Sequence, residues 1–271
     1  MNGIIVDMTH EQYYQYQPII LGLSGKAATG KTSVAEAIVP KAQINSSEGP
    51  IVWDHIFFAL PLYEMVSTKT NIIGTKQQSR QLYSLHSIVY ELFGNSPIGN
   101  IPDYDELINI VKTIYNTPLD QDGSKPRSFL QKMGDLCREF DPDCFAKWAI
   151  TKSLRMYRDF TNNYEIDDDP CPFGVIISDV RFKNEAEAIL KQPNGIVICY
   201  EASDSVRDQR ILGRDGVYMT ESQKNHISEQ QIDDIKEMAT LVINTDNMTV
   251  AEQTAKTLEF VNSRVGQYAQ N

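Results

Sequence analysis

Residues 18–38, PIILGLSGKAATGKTSVAEAI, decide the fold that we predict for this chain. The unbroken apolar run PIILGLS predicts a buried strand, and VAEAI predicts a helix. Between them, Gly25, Gly30, Lys31 and Thr32 occupy the fixed positions of the pattern Gly-x-x-x-x-Gly-Lys-Thr. Placed between a strand and a helix, this pattern is typical of a phosphate-binding loop.

Such a loop binds polyphosphate for physical reasons. Backbone N–H groups at the start of a helix converge on one point, and the helix dipole adds partial positive charge there. Lys31 can reach the β- and γ-phosphates of ATP, and the Thr32 hydroxyl can ligate Mg²⁺. The alternative is an accidental glycine-rich turn. The residues predicted to contact the nucleotide are Gly25, Lys26, Ala28, Thr29, Gly30, Lys31, Thr32 and Ser33.

The composition limits the partners. The chain has 271 residues, of which 41% are hydrophobic, and this is enough for one sizeable core. The net charge of −11 argues against capture of a nucleic-acid backbone, which needs a basic face. Four cysteines without metal-binding spacing indicate reduced thiols, and we expect Cys137 and Cys144 to share a helix face. With neither a signal peptide nor a run of membrane-spanning length, we expect a cytoplasmic protein that does not bind membranes.

Strands and helices are predicted to alternate along the chain. Apolar strands separated by helices indicate an α/β fold in which helices cover both faces of a five-stranded parallel sheet, giving three layers. We predict a single domain over residues 1–271, with its core in 18–54 and 172–265. A mostly helical insertion, 55–171, is where an acceptor substrate would bind. The predicted strands are PIILGLS, GPIVWDH, FGVIISDVR, NGIVICYEAS and ATLVINTDN.

Asp179 and Arg181 close the predicted strand FGVIISDVR. If this strand neighbours the first one, Asp179 can order Mg²⁺-bound water or orient Lys31. Arg181 can hold a phosphate through two hydrogen bonds. The alternative is an Asp–Arg pair that fixes the end of the strand and the start of the next helix.

Three arginines, Arg207, Arg210 and Arg214, recur at spacings of three and four and so share one predicted helical face. They suit a lid, at about residues 204–230, that closes over a transferring phosphate and neutralises its charge. The alternative is a solvated helix whose arginines pair with Asp204 and Asp208.

Six blocks of sequence in order resemble a P-loop deoxynucleoside monophosphate kinase of the phage type, within the nucleoside monophosphate kinase group. They lie between residues 19 and 250 and read LGLSGKAATGKTSVAEAI, FALPLYEMV, KPRSFLQKMGDLCREFDPDCFAKWA, VIISDVRFKNEAEAI, HISEQ and ATLVINTDN. The leader before Pro18 and the region 95–124 lie outside these blocks, so the resemblance does not specify which base is accepted.

The resemblance implies transfer of the ATP γ-phosphoryl group to a deoxynucleoside monophosphate, with ATP and Mg²⁺ bound. It assigns transfer chemistry to Lys31, Asp179, Arg181, Arg210 and Arg214, and nucleotide contact to Arg207 as well as to the loop. Similar kinases are often homodimers.

On the acceptor side the resemblance places Lys125, Arg127 and Gln131. Arg127 is the candidate for gripping the acceptor phosphate, and Gln131 for contacting a base or sugar edge. Trp148 is a candidate wall of the nucleoside pocket, with a core position as the alternative. His226, Ser228 and Glu229 match a family block near the lid, where Ser228 can act as a helix cap.

Two other functions stay open. A P-loop kinase could phosphorylate a hydroxyl, either of a small molecule or of a modified base in DNA, and RDQRILGRDG and LVINTDN are also similar to dephospho-coenzyme A kinase. A hydroxyl acceptor needs a base, for which Asp54 and Asp179 are candidates. The other alternative is a nucleotide-binding switch without transfer chemistry.

Overall fold

The predicted parallel sheet is present in the computed structural model, which describes residues 17–39, 51–71, 77–94, 102–119, 126–163, 173–220 and 227–268. All pairings between its five strands are parallel, and the strand order is β2-β3-β1-β4-β5. The strands are β1 Ile19–Ser24, β2 Val52–Ile56, β3 Phe173–Val180, β4 Gly195–Glu201 and β5 Leu241–Asn244. Each coincides with one of the five predicted strand segments.

The helices predicted within the described residues are also present. The bounds are α1 Lys31–Ile38, α2 Leu60–Asn71, α3 Gln77–Phe93, α4 Tyr104–Asn116, α5 Arg127–Phe140, α6 Cys144–Asn163, α7 Lys183–Leu190, α8 Asp204–Asp215, α9 Ile227–Gln230, α10 Ile232–Met238 and α11 Val250–Tyr268. None of the helices in these ranges is long and apolar enough to cross a membrane.

Helices cover both faces of the sheet. On one face, Leu21 and Leu23 of β1 share a core with Val34 of α1 and Val261 of α11. On the other, a Cβ added to Gly22 would lie 2.6 Å from Cδ1 of Ile189 in α7, so a larger residue there would require the Ile189 side chain to shift. The strands are therefore apolar on both sides, which is why they read as continuous apolar runs, and the arrangement is consistent with three α/β/α layers.

The chain divides into two compact units, with boundaries at Ile56/Phe57 and at Lys152/Ser153. The sheet belongs to one unit, and helices α2 to α5 belong to the other. Within the helical unit, α4 begins with a reciprocal cap in which Asp103 and Glu106 each accept the other's backbone N–H, at 2.9 Å.

The prediction that Cys137 and Cys144 share a helix face is wrong. Cys137 lies in α5, which ends at Phe140, and Cys144 begins α6. Asp141 separates the two helices, because its buried carboxylate accepts from the backbone N–H of Asp143 at 3.0 Å and pairs with Lys147 at 2.7 Å. Both thiols are buried and free, and burial raises their pKa values.

Candidate functional site

The loop between β1 and α1 has an unusual backbone. Gly25, Ala28 and Gly30 have φ angles of +140°, +62° and +103°, all in the left-handed region. A Cβ at Gly25 would lie 2.2 Å from the carbonyl oxygen of Tyr200, so a larger residue does not fit there. Both glycines of the sequence pattern are thus required by backbone geometry. Ala28 takes the same strained region without that freedom, as residues at functional sites often do.

Lys31 folds back over this loop. Its ammonium donates to the carbonyl oxygens of Gly25 and Lys26, at 2.5 and 2.8 Å, and lies 3.4 Å from Oγ1 of Thr29. Only 6% of the residue is exposed. Burial, followed in size by the charge of Arg181, lowers the pKa of Lys31 from 10.5 to about 7. The lysine is therefore a poorly hydrated cation at the start of α1.

Helix α8 brings two of its three arginines to the same loop. Nε of Arg207 donates to the carbonyl oxygen of Ala27 at 3.0 Å, and a terminal nitrogen of Arg210 donates to that of Ala28 at 3.3 Å. Arg214 has a different environment, since its exposed guanidinium makes two bonds to neighbouring Asp215, at 2.7 and 2.8 Å. The three arginines therefore do not act alike, although their spacing is regular.

Thr245, which follows β5, fixes Arg210 in this position. Its carbonyl oxygen accepts from Arg210 at 2.7 Å, and its hydroxyl lies 3.1 Å from the carbonyl oxygen of Glu201 and 3.3 Å from that of Thr29. Sequence analysis did not single out Thr245, because a threonine after a strand carries no distinctive signal. Thr245 comes near the loop because β5 pairs with β4, and β4 pairs with β1, which leads into the loop.

Arg181 and Glu229 complete the group. Arg181 follows β3, and its guanidinium donates to Oε1 of Glu229 at 2.9 Å. The other carboxylate oxygen of Glu229 accepts from the backbone N–H of Ala27 at 3.1 Å and lies 3.6 Å from Arg207. Sequence analysis noted Glu229 only as part of the block HISEQ and did not place it in the site. Its burial, at 5% exposure, follows from tertiary packing alone.

The residues predicted to serve Mg²⁺ lie at the same end of the sheet. Thr32 is exposed in the first turn of α1, and so is Ser33, which was predicted to contact the nucleotide and not the metal. Asp179 lies one residue before the end of β3, which pairs with β1, and is partly buried. Magnesium in phosphate sites usually needs only one or two protein oxygens besides phosphate and water, and these residues fit that requirement. The described residues, this site included, contain no group of three or more His, Cys, Asp or Glu side chains that could hold a metal ion.

A histidine–serine pair lies beside Asp179. Nε2 of His55, in β2, is 2.7 Å from Oγ of Ser178 in β3. Burial lowers the pKa of His55, while the charges of Asp179, Glu36 and Asp54 act in the opposite direction. The imidazole is therefore mostly neutral at pH 7. Sequence analysis missed this pair, because its members are distant in sequence and meet only through strand pairing.

The predicted acceptor residues belong to the helical unit. Arg127 begins α5, but its side chain lies outside what the structure describes, as do Lys125 and His226. Gln131 is exposed on α5, whereas Trp148 of α6 is buried at 4% exposure. A ligand could thus contact the side chain of Gln131 directly, while Trp148 offers it almost no surface.

Comparison with known proteins gives likenesses among solved structures only. No family model and no curated protein matches the chain. Among solved structures, the chain is similar to the crystal structure of TT1252 from Thermus thermophilus, with a TM-score of 0.40 and 13% sequence identity, over 92% of this chain and 98% of that one. A likeness at this level carries no argument about function.

Proposed function

We propose that the protein is a deoxynucleoside monophosphate kinase, which transfers the γ-phosphoryl group of ATP to a deoxynucleoside monophosphate and releases a diphosphate and ADP. The observation that supports this proposal is that Lys31 and Arg207 contact one left-handed loop at the end of β1, to which Glu229 joins Arg181. Basic groups gathered at one helix N-terminus suit an anion with several charges better than they suit a neutral ligand.

In this proposal the loop and its cations act chiefly by alignment and neutralisation. The amides of the loop and the N-terminus of α1 bind the β- and γ-phosphates, and Lys31 shifts from loop carbonyls to phosphate oxygens. Arg181 and Arg207 neutralise the charge that develops as the phosphoryl group moves between oxygens. A monophosphate acceptor already carries a nucleophilic oxygen anion, so no general base is required.

Magnesium fits this reading through Thr32, whose hydroxyl is exposed in the first turn of α1. When bound, the ion neutralises charge on the two terminal phosphates. Asp179 lies at the end of the neighbouring strand and can accept hydrogen bonds from water around it. The acceptor phosphate is assigned to Arg127, with Lys125 and Gln131 beside it in the sequence.

One observation favours the alternative of a hydroxyl acceptor. His55, Ser178, Asp54 and Asp179 lie near the carboxyl ends of β2 and β3. A neutral imidazole or a carboxylate at this edge can take a proton from a hydroxyl, a function that a monophosphate acceptor does not need. This site would serve a kinase acting on a small molecule or on a modified base.

A panel of acceptors tests these readings. The full chain is incubated with ATP and Mg²⁺ together with deoxynucleoside monophosphates, nucleosides, small-molecule alcohols or DNA, and products are identified by mass. We expect ADP only with an acceptor, and a diphosphate product from at least one monophosphate. Phosphorylation of a hydroxyl alone would establish the alternative, and slow ADP release without any acceptor would indicate a switch. An absence of new phosphorylated product from every monophosphate would refute the proposal.

A further inference from the structure

Glu229 lies where the site would hold a ligand anion. Its two carboxylate oxygens contact a loop amide and two guanidinium groups: Ala27 N–H at 3.1 Å, Arg181 at 2.9 Å and Arg207 at 3.6 Å. An amide with two arginines is the donor set that proteins use for phosphate. In this structure the acceptor is a side chain of the protein itself.

Two buried carboxylates lie near these arginines, and they make different contacts. Glu229 contacts the guanidinium groups of both Arg181 and Arg207. Glu185 instead accepts from the backbone N–H groups of Arg181 and of the residue after it. Arg207 has a second anionic partner in Asp204, at 2.7 Å, but the side chain of Asp204 is 88% exposed, so water screens that pair. Glu229 therefore brings one negative charge into direct contact with the two guanidinium groups, and a ligand with several negative charges would bring more.

The Glu229 carboxylate and a phosphate group cannot use the same hydrogen-bond donors at the same time. Ala27 has one N–H, which at ordinary geometry serves one strong acceptor, and that acceptor is Oε2 of Glu229. A phosphate oxygen at the same amide would also lie against Arg207, which contacts the same carboxylate oxygen. Two anions this close repel one another, so both cannot keep these contacts.

We propose that Glu229 is a built-in competitor of the polyphosphate ligand, and that a phosphate group displaces its carboxylate from the Ala27 amide, Arg181 and Arg207. This inference rests on the proposed function, since it assumes that the loop binds polyphosphate. The carboxylate keeps the arginines paired and the loop amide satisfied in the ligand-free protein. The free energy of nucleotide binding then depends on how much more strongly the phosphate binds these donors than the Glu229 carboxylate does.

Calorimetric titration with inorganic tripolyphosphate tests the competition. We expect Glu229→Gln to bind tripolyphosphate about tenfold more tightly than the wild type, because the charge-assisted bonds that the ligand must replace are weakened. Glu229→Ala should gain at least as much. The control Glu237→Gln makes the same change in net charge at an exposed position of α10 and should stay within about twofold.

Hydrogen exchange on the wild type covers the case in which a variant fails to fold. On adding tripolyphosphate, the loop peptide 25–33 should become more protected and the peptide 227–231 less protected. If both became more protected, Glu229 would be holding its arginines in place for the ligand, and competition would be wrong.

The titration also distinguishes failure of the competition by Glu229 from failure of the proposed kinase function. If the wild type and Glu229→Gln bind tripolyphosphate equally, or the variant binds it less tightly, Glu229 does not compete with the ligand. Binding by the wild type would still support a loop that binds polyphosphate. If neither binds it, the proposed function fails as well.

Discussion

Two lysines, one in each compact unit, make the same pair of contacts in different surroundings. Lys31 donates to the carbonyl oxygens of Gly25 and Lys26, and Lys69 donates to those of Ile114 and Tyr115, at 3.0 and 2.6 Å. Burial lowers the pKa of both. Identical hydrogen bonds therefore do not distinguish their roles.

The neighbouring charges do distinguish them. Lys69 belongs to α2, but its ammonium lies at the C-terminus of α4, where the helix dipole is negative. The ammonium is also 5.7 Å from the ring of Tyr115 and 5.6 Å from that of Phe129. Lys31 lies at a helix N-terminus, where the dipole is positive. The neighbouring dipole and rings favour the charge of Lys69, whereas the dipole and Arg181 oppose the charge of Lys31, so we infer that Lys69 caps a helix while Lys31 is held for an anion.

Exchanging each lysine for methionine should separate the two roles most strongly. Lys31→Met is expected to weaken tripolyphosphate binding about 100-fold or more without lowering the thermal midpoint of the ligand-free protein, because removing a buried cation at a helix N-terminus offsets the loss of its hydrogen bonds to two loop carbonyls. Lys69→Met should leave binding within about twofold and lower the free energy of unfolding by about 1–2 kcal/mol, since two carbonyls lose a donor. Titration calorimetry and urea unfolding measure both. If Lys69→Met impaired tripolyphosphate binding as much as Lys31→Met does, the two lysines would not have different roles.

The pH dependence of the free energy of unfolding should show how much burial of the charged Lys31 ammonium destabilises the folded protein. Its pKa is about 7 when folded and 10.5 ordinarily, so between these values the unfolded chain binds more protons and the free energy of unfolding rises with pH. The gain is at most about 1.4 kcal/mol per pH unit and vanishes below the folded pKa, where both states are protonated. Urea unfolding at pH 7, 8 and 9 should give a steeper rise for the wild type than for Lys31→Met. Equal slopes would mean that Lys31 is not destabilised in the fold.

The two ends of α8 offer a smaller contrast. Arg207→Ala should weaken tripolyphosphate binding about tenfold, because Arg207 reaches the loop and Glu229. Arg214→Ala, which removes an exposed pair with Asp215, should change it by less than about twofold. Both variants lose one positive charge, so each is the other's control in the same titration. Equal losses would show that only net charge matters.

The smallest effect is expected in the helical unit. Under the proposed function, Arg127→Ala should raise the KM for the monophosphate acceptor several-fold and leave the KM for ATP nearly unchanged, because it removes one acceptor contact. Steady-state kinetics with each substrate varied in turn measures this split. Lys132→Ala, which removes one positive charge from an exposed position of α5, the same helix as Arg127, tests whether any nearby basic residue gives the same result. A rise in the KM for ATP instead would place Arg127 on the nucleotide side.

Local sequence was sufficient for the elements and for the loop. The apolar runs that became β1 and β3 are buried on both faces, so their composition alone indicated central parallel strands. Gly25 and Gly30 were identifiable because the backbone requires φ angles that glycine adopts without strain. The prediction that Cys137 and Cys144 share a helix face failed because it rested on their spacing alone. Pro142 disfavours helical backbone at Asp141, which is extended, and buried bonds hold the Asp141 carboxylate.

The sequence by itself determined a parallel α/β sheet and a glycine-bounded loop before a helix, because both depend on residue types within a few positions of one another. Tertiary structure alone decided that Arg207 meets the loop while Arg214 does not, that His55 meets Ser178, and that the carboxylate of Glu229 fills the cluster. These contacts join residues far apart in the chain, and their strength depends on burial. Burial is set by the packing of strands and helices against each other, which no short stretch of sequence records.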